Sequence, residues 1–166
     1  MTAMSYSIRP LSPSDQQFLW EMLYQSLHVP EGGRPFPRDI INQPEIAKYV
    51  REWGRAGDMG FVAVDAGSGE PIGAAWLRLL TGDERGYGYV NDETPELGMA
   101  VLHGYRGRGV GSDLLSRVLE SAGAAYRSVC LSVSADNPAV RLYARAGFER
   151  VCERGASLTM FRRLSA

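Results

Sequence analysis

The hydrophobic residues of this chain recur with two different periods, one typical of helices and one typical of strands. Near the N-terminus, Ser12 and Pro13 provide capping chemistry, and Leu19, Met22 and Leu23 then share one helical face. Three other segments show the same helical spacing. The predicted helices begin after Ser12, cover residues 44–53, follow Gly109 and cover residues 138–146.

Shorter apolar runs between these helices are typical of strands. The turn sequence at residues 67–70 joins two of these runs, so we expect an antiparallel hairpin there. The run at residues 128–134 lies between two predicted helices, and we expect it to pair in parallel with the run at 97–102 through a right-handed crossover. The predicted strands cover residues 5–11, 61–65, 72–80, 97–102, 128–134, 148–152 and 158–163.

These elements predict an α+β or α/β fold, with a mixed, twisted, mostly antiparallel sheet of about seven strands and helices on both faces. A chain of 166 residues can bury one substantial core but is short for two. We therefore expect a single domain over residues 1–166. The proportions of hydrophobic (45%) and charged (22%) residues are ordinary for a globular protein.

Charge and composition exclude several classes of function. The formal net charge of -1 provides no basic field for nucleic acid. No apolar run is long enough to cross a bilayer, and residues 1–10 lack a signal-peptide core, so we expect a cytoplasmic protein without a membrane partner. Cys130 and Cys152 lie in apolar runs and are expected to be buried free thiols. With His28 and His103 widely separated from each other and from both cysteines, no metal site is expected.

The most informative stretch covers residues 96–112, where an apolar strand enters a glycine-rich turn and then a helix. Such a turn leaves the first N–H groups of the helix unpaired at its positive end, which suits a phosphate group. Glycines allow the backbone to approach a ligand closely, and Arg106 and Arg108 add positive charge. An ordinary strand–helix connection is the alternative on these grounds alone.

Two familiar phosphate-binding patterns do not fit this turn. A P-loop requires lysine before the serine or threonine, whereas this chain reads Gly109-Val110-Gly111-Ser112. A dinucleotide fingerprint requires Gly-x-Gly-x-x-Gly, whereas the glycines here stand at positions 107, 109 and 111.

The sequence Arg106-Gly-Arg-Gly109-Val-Gly111 resembles the Arg/Gln-x-x-Gly-x-Gly/Ala loop of the GNAT superfamily of N-acetyltransferases, which binds the pyrophosphate of acetyl-coenzyme A. A second segment, from Asn137 through Tyr143 to a Gly-Phe pair, is similar to a later motif of the same family. The two motifs occur in the expected order and separation. The resemblance covers most of the chain and weakens towards the N-terminus.

The resemblance implies an enzyme that moves the acetyl group of acetyl-CoA directly to a primary amine of a small molecule or peptide, without a metal. The central strand would separate from its neighbour after Leu97 or Gly98, and its amides would pair with the pantetheine arm. The helix turn would bind the pyrophosphate, and Asn137 would contact the cofactor or only cap its helix. The implied cofactor-binding residues are Met99, Ala100, Val101, Arg106, Gly107, Arg108, Gly109, Val110, Gly111, Ser112 and Asn137.

Transfer to an ammonium group also needs a base to remove its proton and an acid for the departing thiolate. Tyr143 has apolar neighbours at helical spacing and could be a core residue, but the resemblance implies that it is the general acid. Glu96 opens the central strand and is implied as the general base through a bound water, unless it is a surface carboxylate at a strand end. Glu93 and Asp92 are reserve candidates.

Four further positions bear on the site. Relatives that acetylate protein N-termini resemble each other in carrying a glutamate where this chain has Ser132, which weakens a ribosomal-protein acceptor. Tyr87 and Tyr89 lie in an acidic loop that either forms a wall of the acceptor pocket or simply connects two strands. His103 falls on the turn before the glycines, where a solvent-facing or packing role is expected.

Two other functions fit the same residues. The chain could be a non-catalytic module that binds acyl-CoA as a regulatory ligand, or a different nucleotide-binding domain. The presence of both Tyr143 and Glu96 argues against the first of these. A homodimer formed through sheet edges is compatible with the resemblance.

Overall fold

The computed structural model describes residues 5–164, whose apolar runs build a seven-stranded sheet. The strands are β1 (Tyr6–Pro10), β2 (Met59–Asp65), β3 (Pro71–Arg78), β4 (Glu96–Val101), β5 (Ser128–Ser134), β6 (Glu149–Arg154) and β7 (Ser157–Arg163). Their order in the sheet is β1-β2-β3-β4-β5-β7-β6. Only β4 and β5 are parallel neighbours, so the sheet is mixed and mostly antiparallel, as predicted.

Helices cover both faces of this sheet, which also confirms the predicted fold class. The α-helices in the described part of the chain are α1 (Gln16–Ser26), α2 (Pro44–Ala47), α3 (Val110–Ala122) and α4 (Ala139–Arg145). Successive residues of a strand point to opposite faces. In β3, Ala74 and Trp76 therefore pack with α1, whereas Ala75 and Leu77 belong to the cluster that α3 covers.

The second helix is shorter than the predicted span of residues 44–53, because it ends at Ala47 and the chain continues in turns. Beyond that point, side chains from the sheet take the place of helical N–H donors. Arg78 Nη1 donates to the carbonyl groups of Lys48 and Arg51, at 2.9 and 2.6 Å. The residues predicted to face inward are nevertheless buried: Ile46, Val50 and Trp53.

Arg78 also forms a buried ion pair that the sequence did not indicate. Its Nε and Nη2 atoms donate to the two carboxylate oxygens of Asp58, at 3.0 and 2.8 Å. The two side chains are only 1% and 3% exposed. Asp58 further accepts hydrogen bonds from the N–H groups of Gly54 and Arg55. This pair fixes the irregular segment between α2 and β2 against the sheet.

The two cysteines differ in their surroundings. Cys130 is buried in β5, as predicted, and burial raises the pKa of its thiol. The prediction that Cys152 is buried is wrong, because Cys152 lies in β6, an edge strand whose residues are all exposed. An apolar run at a sheet edge has only one neighbouring strand, so apolar composition alone does not ensure burial.

No helix within residues 5–164 has the length and apolar character that a membrane span requires.

Candidate functional site

Strands β4 and β5 separate almost as soon as they meet. They share one bridged pair, in which Glu96 lies opposite Cys130. The sequence predicted a separation after Leu97 or Gly98, and the structure places it slightly earlier, directly after Glu96. The remainder of β4 therefore has a hydrogen-bonded neighbour on one side only.

The backbone groups of β4 alternate between β3 and the gap. The N–H group of Leu102, just after the strand, donates to the Ile72 carbonyl at 2.8 Å, so the even-numbered residues of β4 bond to β3. The N–H groups of Met99 and Val101 consequently face the gap, whereas that of Ala100 points to β3. Two of the three strand amides implied as cofactor contacts are thus free to bind a ligand.

This gap opens into a cleft of about 1030 Å³ between α1, the loop that follows it, β4, β5 and α4. The cleft brings together both implied catalytic residues and part of the implied cofactor site. The candidate residues that line it are Glu96, Met99, Ala100, Val101, Arg106, Asn137 and Tyr143. No group of three or more residues that could hold a metal ion occurs within residues 5–164.

Glu96 is 3% exposed, so the interpretation as a surface carboxylate is wrong. Its Oε1 accepts hydrogen bonds from the Tyr49 hydroxyl at 3.0 Å and from the Gly88 N–H at 2.9 Å. Its Oε2 is buried beside the Gly86 backbone and has no well-aligned hydrogen bond from residues 5–164. Burial raises the pKa of Glu96 above the usual value, although the hydrogen bonds from Gly88 and Tyr49 act in the opposite direction.

Tyr49 links this carboxylate to the loop before β4, and the sequence did not single it out. Its hydroxyl group donates to Glu96 and accepts a hydrogen bond from the Tyr87 N–H at 2.8 Å. Burial and the nearby Glu96 raise the pKa of Tyr49 well above its usual value, so it stays a proton donor. Because Tyr49 follows a helix that was predicted to be longer, only the folded structure shows where its hydroxyl lies.

The loop can approach Glu96 so closely because it carries glycines. A Cβ atom at Gly86 would lie 1.8 Å from Glu96 Oε2, and one at Gly88 would lie 2.7 Å from the carbonyl carbon of Leu131. Tyr87, between them, lines the cleft and is 55% exposed.

Tyr89, the other tyrosine considered for the pocket wall, donates from its hydroxyl to Asp92 at 2.5 Å. It is absent from the lining of the cleft, as are Asp92 and the other reserve carboxylate, Glu93. Both carboxylates are exposed. Their position leaves Glu96 as the carboxylate at the cleft.

Tyr143 lies on α4 and is 8% exposed, with its ring edge-on to Phe148 at 5.9 Å between centroids. Burial raises its pKa to about 12, so the phenol keeps its proton at neutral pH. The ring is part of the core and also lines the cleft, so the packing and functional interpretations are compatible.

The glycine-rich turn has the conformation that its sequence predicts. Gly107 and Gly109 have φ angles of +76° and +86°, and a Cβ atom at either position would meet open space. No side chain caps the first turn of α3, which begins at Val110. Its first N–H groups are therefore available to a ligand. Arg106 Nε donates to the Val101 carbonyl at 2.8 Å, which holds the arginine beside the unpaired edge of β4.

Asn137 has the capping role that was one of its two interpretations. Its Oδ1 accepts a hydrogen bond from the Ala139 N–H at 2.9 Å, at the start of α4. Since this uses the amide oxygen, the amide NH₂ group is still available towards the cleft that Asn137 lines. Ser132 also lines the cleft, whereas His103 is exposed on the turn before the glycines.

A family model described as an acetyltransferase (GNAT) domain matches residues 56–150. The chain belongs to the GNAT acetyltransferase family. Members of this family are acyltransferases that generally take their acetyl group from acetyl-CoA. The match includes β4, the glycine-rich turn, α3 and α4.

Relatives of known sequence or structure agree with this membership. A mycothiol acetyltransferase of Thermobispora bispora is 42% identical over 85 residues, which are 49% of this chain and 28% of that protein. The chain thus spans less than a third of the length of this curated relative. A GNAT-family acetyltransferase of Streptococcus pneumoniae shares the fold, with a TM-score of 0.67 and 21% identity over 97% of this GNAT chain and 100% of that one.

The ribosomal-protein-S18-alanine N-acetyltransferase of Escherichia coli is also similar in structure, with a TM-score of 0.68 and 16% identity over 98% and 96% of the two chains. At such identities, structural similarity shows the fold of this GNAT protein and does not identify its acceptor.

Proposed function

We propose that this GNAT protein transfers the acetyl group of acetyl-CoA directly to a primary amine of a small-molecule or peptide acceptor. The observation that carries the proposal is Glu96, a buried carboxylate of raised pKa at a cleft that also contains Tyr143 and the unpaired edge of β4. A base, an acid and a row of free backbone groups are the parts that acetyl transfer requires.

The residues present fit acetyl-CoA, which when bound supplies the thioester for transfer. The N–H groups of Met99 and Val101 would hold its extended arm, because β5 has left that side of β4 open. The turn at residues 107–112 would hold its diphosphate at the positive end of α3, where open space surrounds the glycines. Arg106, Arg108 and Asn137 would add polar contacts around these backbone groups.

Glu96 is suited to take the proton of the acceptor ammonium, either directly or through a water. Its Oε1 is held by two donors, so the poorly satisfied Oε2 is the atom with capacity to bind that proton. A pKa raised by burial brings the carboxylate closer to the amine in proton affinity. Tyr143, whose phenol stays neutral, would give its proton to the departing sulfur.

A non-catalytic acyl-CoA-binding module is the other function considered from the sequence. Such a module would need the donor-binding backbone but not the combination of Glu96 and Tyr143 in one cleft. We would incubate the purified protein with acetyl-CoA and a broad panel of primary amines and measure thiol release. We expect release with at least one amine, and coenzyme A should raise the melting temperature.

The two readouts separate the alternatives. Protection by coenzyme A without thiol release from any amine would favour the module, whereas absence of protection would contradict the proposed donor site.

Replacement of Tyr143 by phenylalanine removes the proposed acid and keeps the buried ring. We expect kcat to fall about 100-fold, with little change in the affinity for coenzyme A, because a lost general acid typically costs a factor of this order. Initial rates of thiol release and calorimetric titration with coenzyme A would measure the two quantities.

The matched control is Tyr126→Phe, which also removes one hydroxyl group. That hydroxyl donates to the Gly57 carbonyl in the turn before β2 and does not line the cleft. Its kcat should match that of the parent. Equal turnover by Tyr143→Phe and the parent, with several amines, would show that Tyr143 does not supply the proton.

Replacement of Tyr49 by phenylalanine removes a hydrogen bond that stabilises the ionised form of Glu96. The pKa of Glu96 should therefore rise further, and the acidic limb of the kcat/KM profile should move to higher pH. On that limb we expect kcat/KM to fall roughly three- to ten-fold, the worth of one hydrogen bond, with a smaller loss on the plateau. A pH profile of thiol release would measure both.

Tyr105→Phe is a suitable control, because it removes a hydroxyl group that bonds to Asp65, away from the cleft. A uniform loss of activity at all pH values in Tyr49→Phe, without a shift of the acidic limb, would contradict the predicted effect of Tyr49 on the pKa of Glu96.

A further inference from the structure

The acceptor side of the cleft is predominantly apolar and aromatic. Its wall comes from residues before β4, mainly Tyr24, Leu27, Phe36, Ile40, Tyr49 and Tyr87, together with the polar side chains of Gln25, Ser26 and Gln43. The indole ring of Trp76 provides the floor, since it packs so closely on β4 that a Cβ atom at Gly98 would lie 2.5 Å from it. A molecule whose amine reaches Glu96 would therefore place the atoms next to that amine against carbon.

The charged side chains that line the cleft are few. Glu96 is its one carboxylate among residues 5–164, and the basic side chains that line it there are His28 and Arg106. The His28 Nε2 atom lies 3.2 Å from Asp136 Oδ1, although the two atoms are not aligned for a hydrogen bond. Arg106 is bound to the Val101 carbonyl next to the proposed diphosphate turn.

Lys48 and Arg38, two cations near this wall, also have contacts within the protein. Lys48, whose charge favours the ionised form of Glu96, donates from Nζ to the Arg85 carbonyl at 2.6 Å and does not line the cleft. Arg38 lies over the Tyr24 ring and pairs with Glu21. Each of these basic groups thus already contacts a carbonyl or carboxylate group of the protein, and the cleft lining within residues 5–164 includes no second carboxylate to receive a second ammonium.

We propose that the acceptor is a primary monoamine with an uncharged, apolar body of aromatic size. This inference rests on the proposed function, since it describes the amine that the same site would acetylate. A second ammonium, as in a diamine, would meet no second carboxylate in the lining, and a carboxylate, as in a free amino acid, would meet only basic groups that already contact carbonyl or carboxylate groups of the protein. Burial of an unpaired charge is costly, so such acceptors should be selected against.

Two matched pairs of amines test this inference with acetyl-CoA and the wild-type protein. Butylamine and 1,4-diaminobutane differ by one ammonium group, and 2-phenylethylamine and phenylalanine differ by one carboxylate. We expect kcat/KM for thiol release to be at least ten-fold higher for the first member of each pair. We also expect kcat/KM to be higher for 2-phenylethylamine than for butylamine, because the phenyl ring can cover more of the aromatic wall.

The outcomes distinguish this inference from the function on which it rests. Equal or faster acetylation of the diamine or of phenylalanine would overturn the inference while confirming acetyl transfer to amines. Thiol release from none of the four amines and from no other primary amine would overturn the proposed function, and the inference with it.

A variant that adds a second carboxylate to the cleft provides a second test. Gln43 lines the cleft and is exposed, so Gln43→Glu adds a carboxylate there without disturbing the core. We expect the ratio of kcat/KM for 1,4-diaminobutane to that for butylamine to rise about three- to ten-fold. Gln17→Glu, an exposed site on α1 outside the cleft, should leave the ratio unchanged. An unchanged ratio in Gln43→Glu would contradict the selection by charge.

Discussion

Replacement of Glu96 by glutamine is expected to lower kcat about 100- to 10,000-fold, the usual contribution of a positioned general base. Glutamine keeps the size of the side chain and an oxygen that can accept from Tyr49 and Gly88, so the fold and coenzyme A binding should be preserved. Initial rates of thiol release across a range of pH would measure the loss.

The pH dependence gives this prediction a second readout. Burial raises the pKa of Glu96 above the 4.5 usual for glutamate, so parent activity should rise with pH through that higher value as the base loses its proton. A raised carboxyl pKa also stabilises the folded state at low pH, and this contribution is lost as pH rises through the folded pKa. The melting temperature of Glu96→Gln should consequently rise relative to that of the parent as pH increases.

Retention of more than a tenth of the parent kcat by a folded Glu96→Gln protein would exclude Glu96 as the base. An unchanged acidic limb in the residual activity would lead to the same conclusion, because the limb must then belong to another group.

Replacement of Arg78 by methionine should destabilise the protein by about 3–5 kcal/mol, the typical cost of removing one partner from a buried ion pair. The carboxylate of Asp58 would keep the hydrogen bonds from Gly54 and Arg55 but would lose its cation at a 3% exposed site. The carbonyl groups of Lys48 and Arg51 would lose their donor as well. Equilibrium unfolding in urea would measure the change.

Arg51→Met is the matched control, because Arg51 is exposed and its substitution should change the free energy of unfolding by about 0.5 kcal/mol or less. If Arg78→Met does not fold, the double variant Arg78→Met/Asp58→Asn should recover folded protein, since it leaves no buried charge unpaired. Equal stability of Arg78→Met and Arg51→Met would contradict the structural role of the pair.

The sequence predicted those parts of the site that depend on local backbone. Glycines at positions 107 and 109 between an apolar strand and an amphipathic helix indicated a turn open to phosphate, and both have positive φ angles. Strand positions followed in the same way from short apolar runs and turn residues. Local sequence is sufficient here because neighbouring residues decide the conformation.

The surroundings of the proposed base depend instead on residues distant in sequence. The sequence around Glu96 was compatible with a surface position at a strand end. Its burial comes from Tyr49, 47 positions earlier, and from the loop at residues 86–88, whose glycines permit close approach. The second helix was overpredicted for a related reason: donors from Arg78, 27 residues after Arg51, replace its helical hydrogen bonds. No periodicity within one segment carries information about partners so far along the chain.

The early separation of β4 from β5 divides the sheet into a group of four strands and a group of three, bridged at one residue pair. A molecule that bonded to the N–H groups of Met99 and Val101 would extend the first group by one more edge element. Its departure after each catalytic cycle would then require backbone bonds of the kind that hold strands together to break. Release of the product from such a site would thus include the loss of main-chain hydrogen bonds along β4.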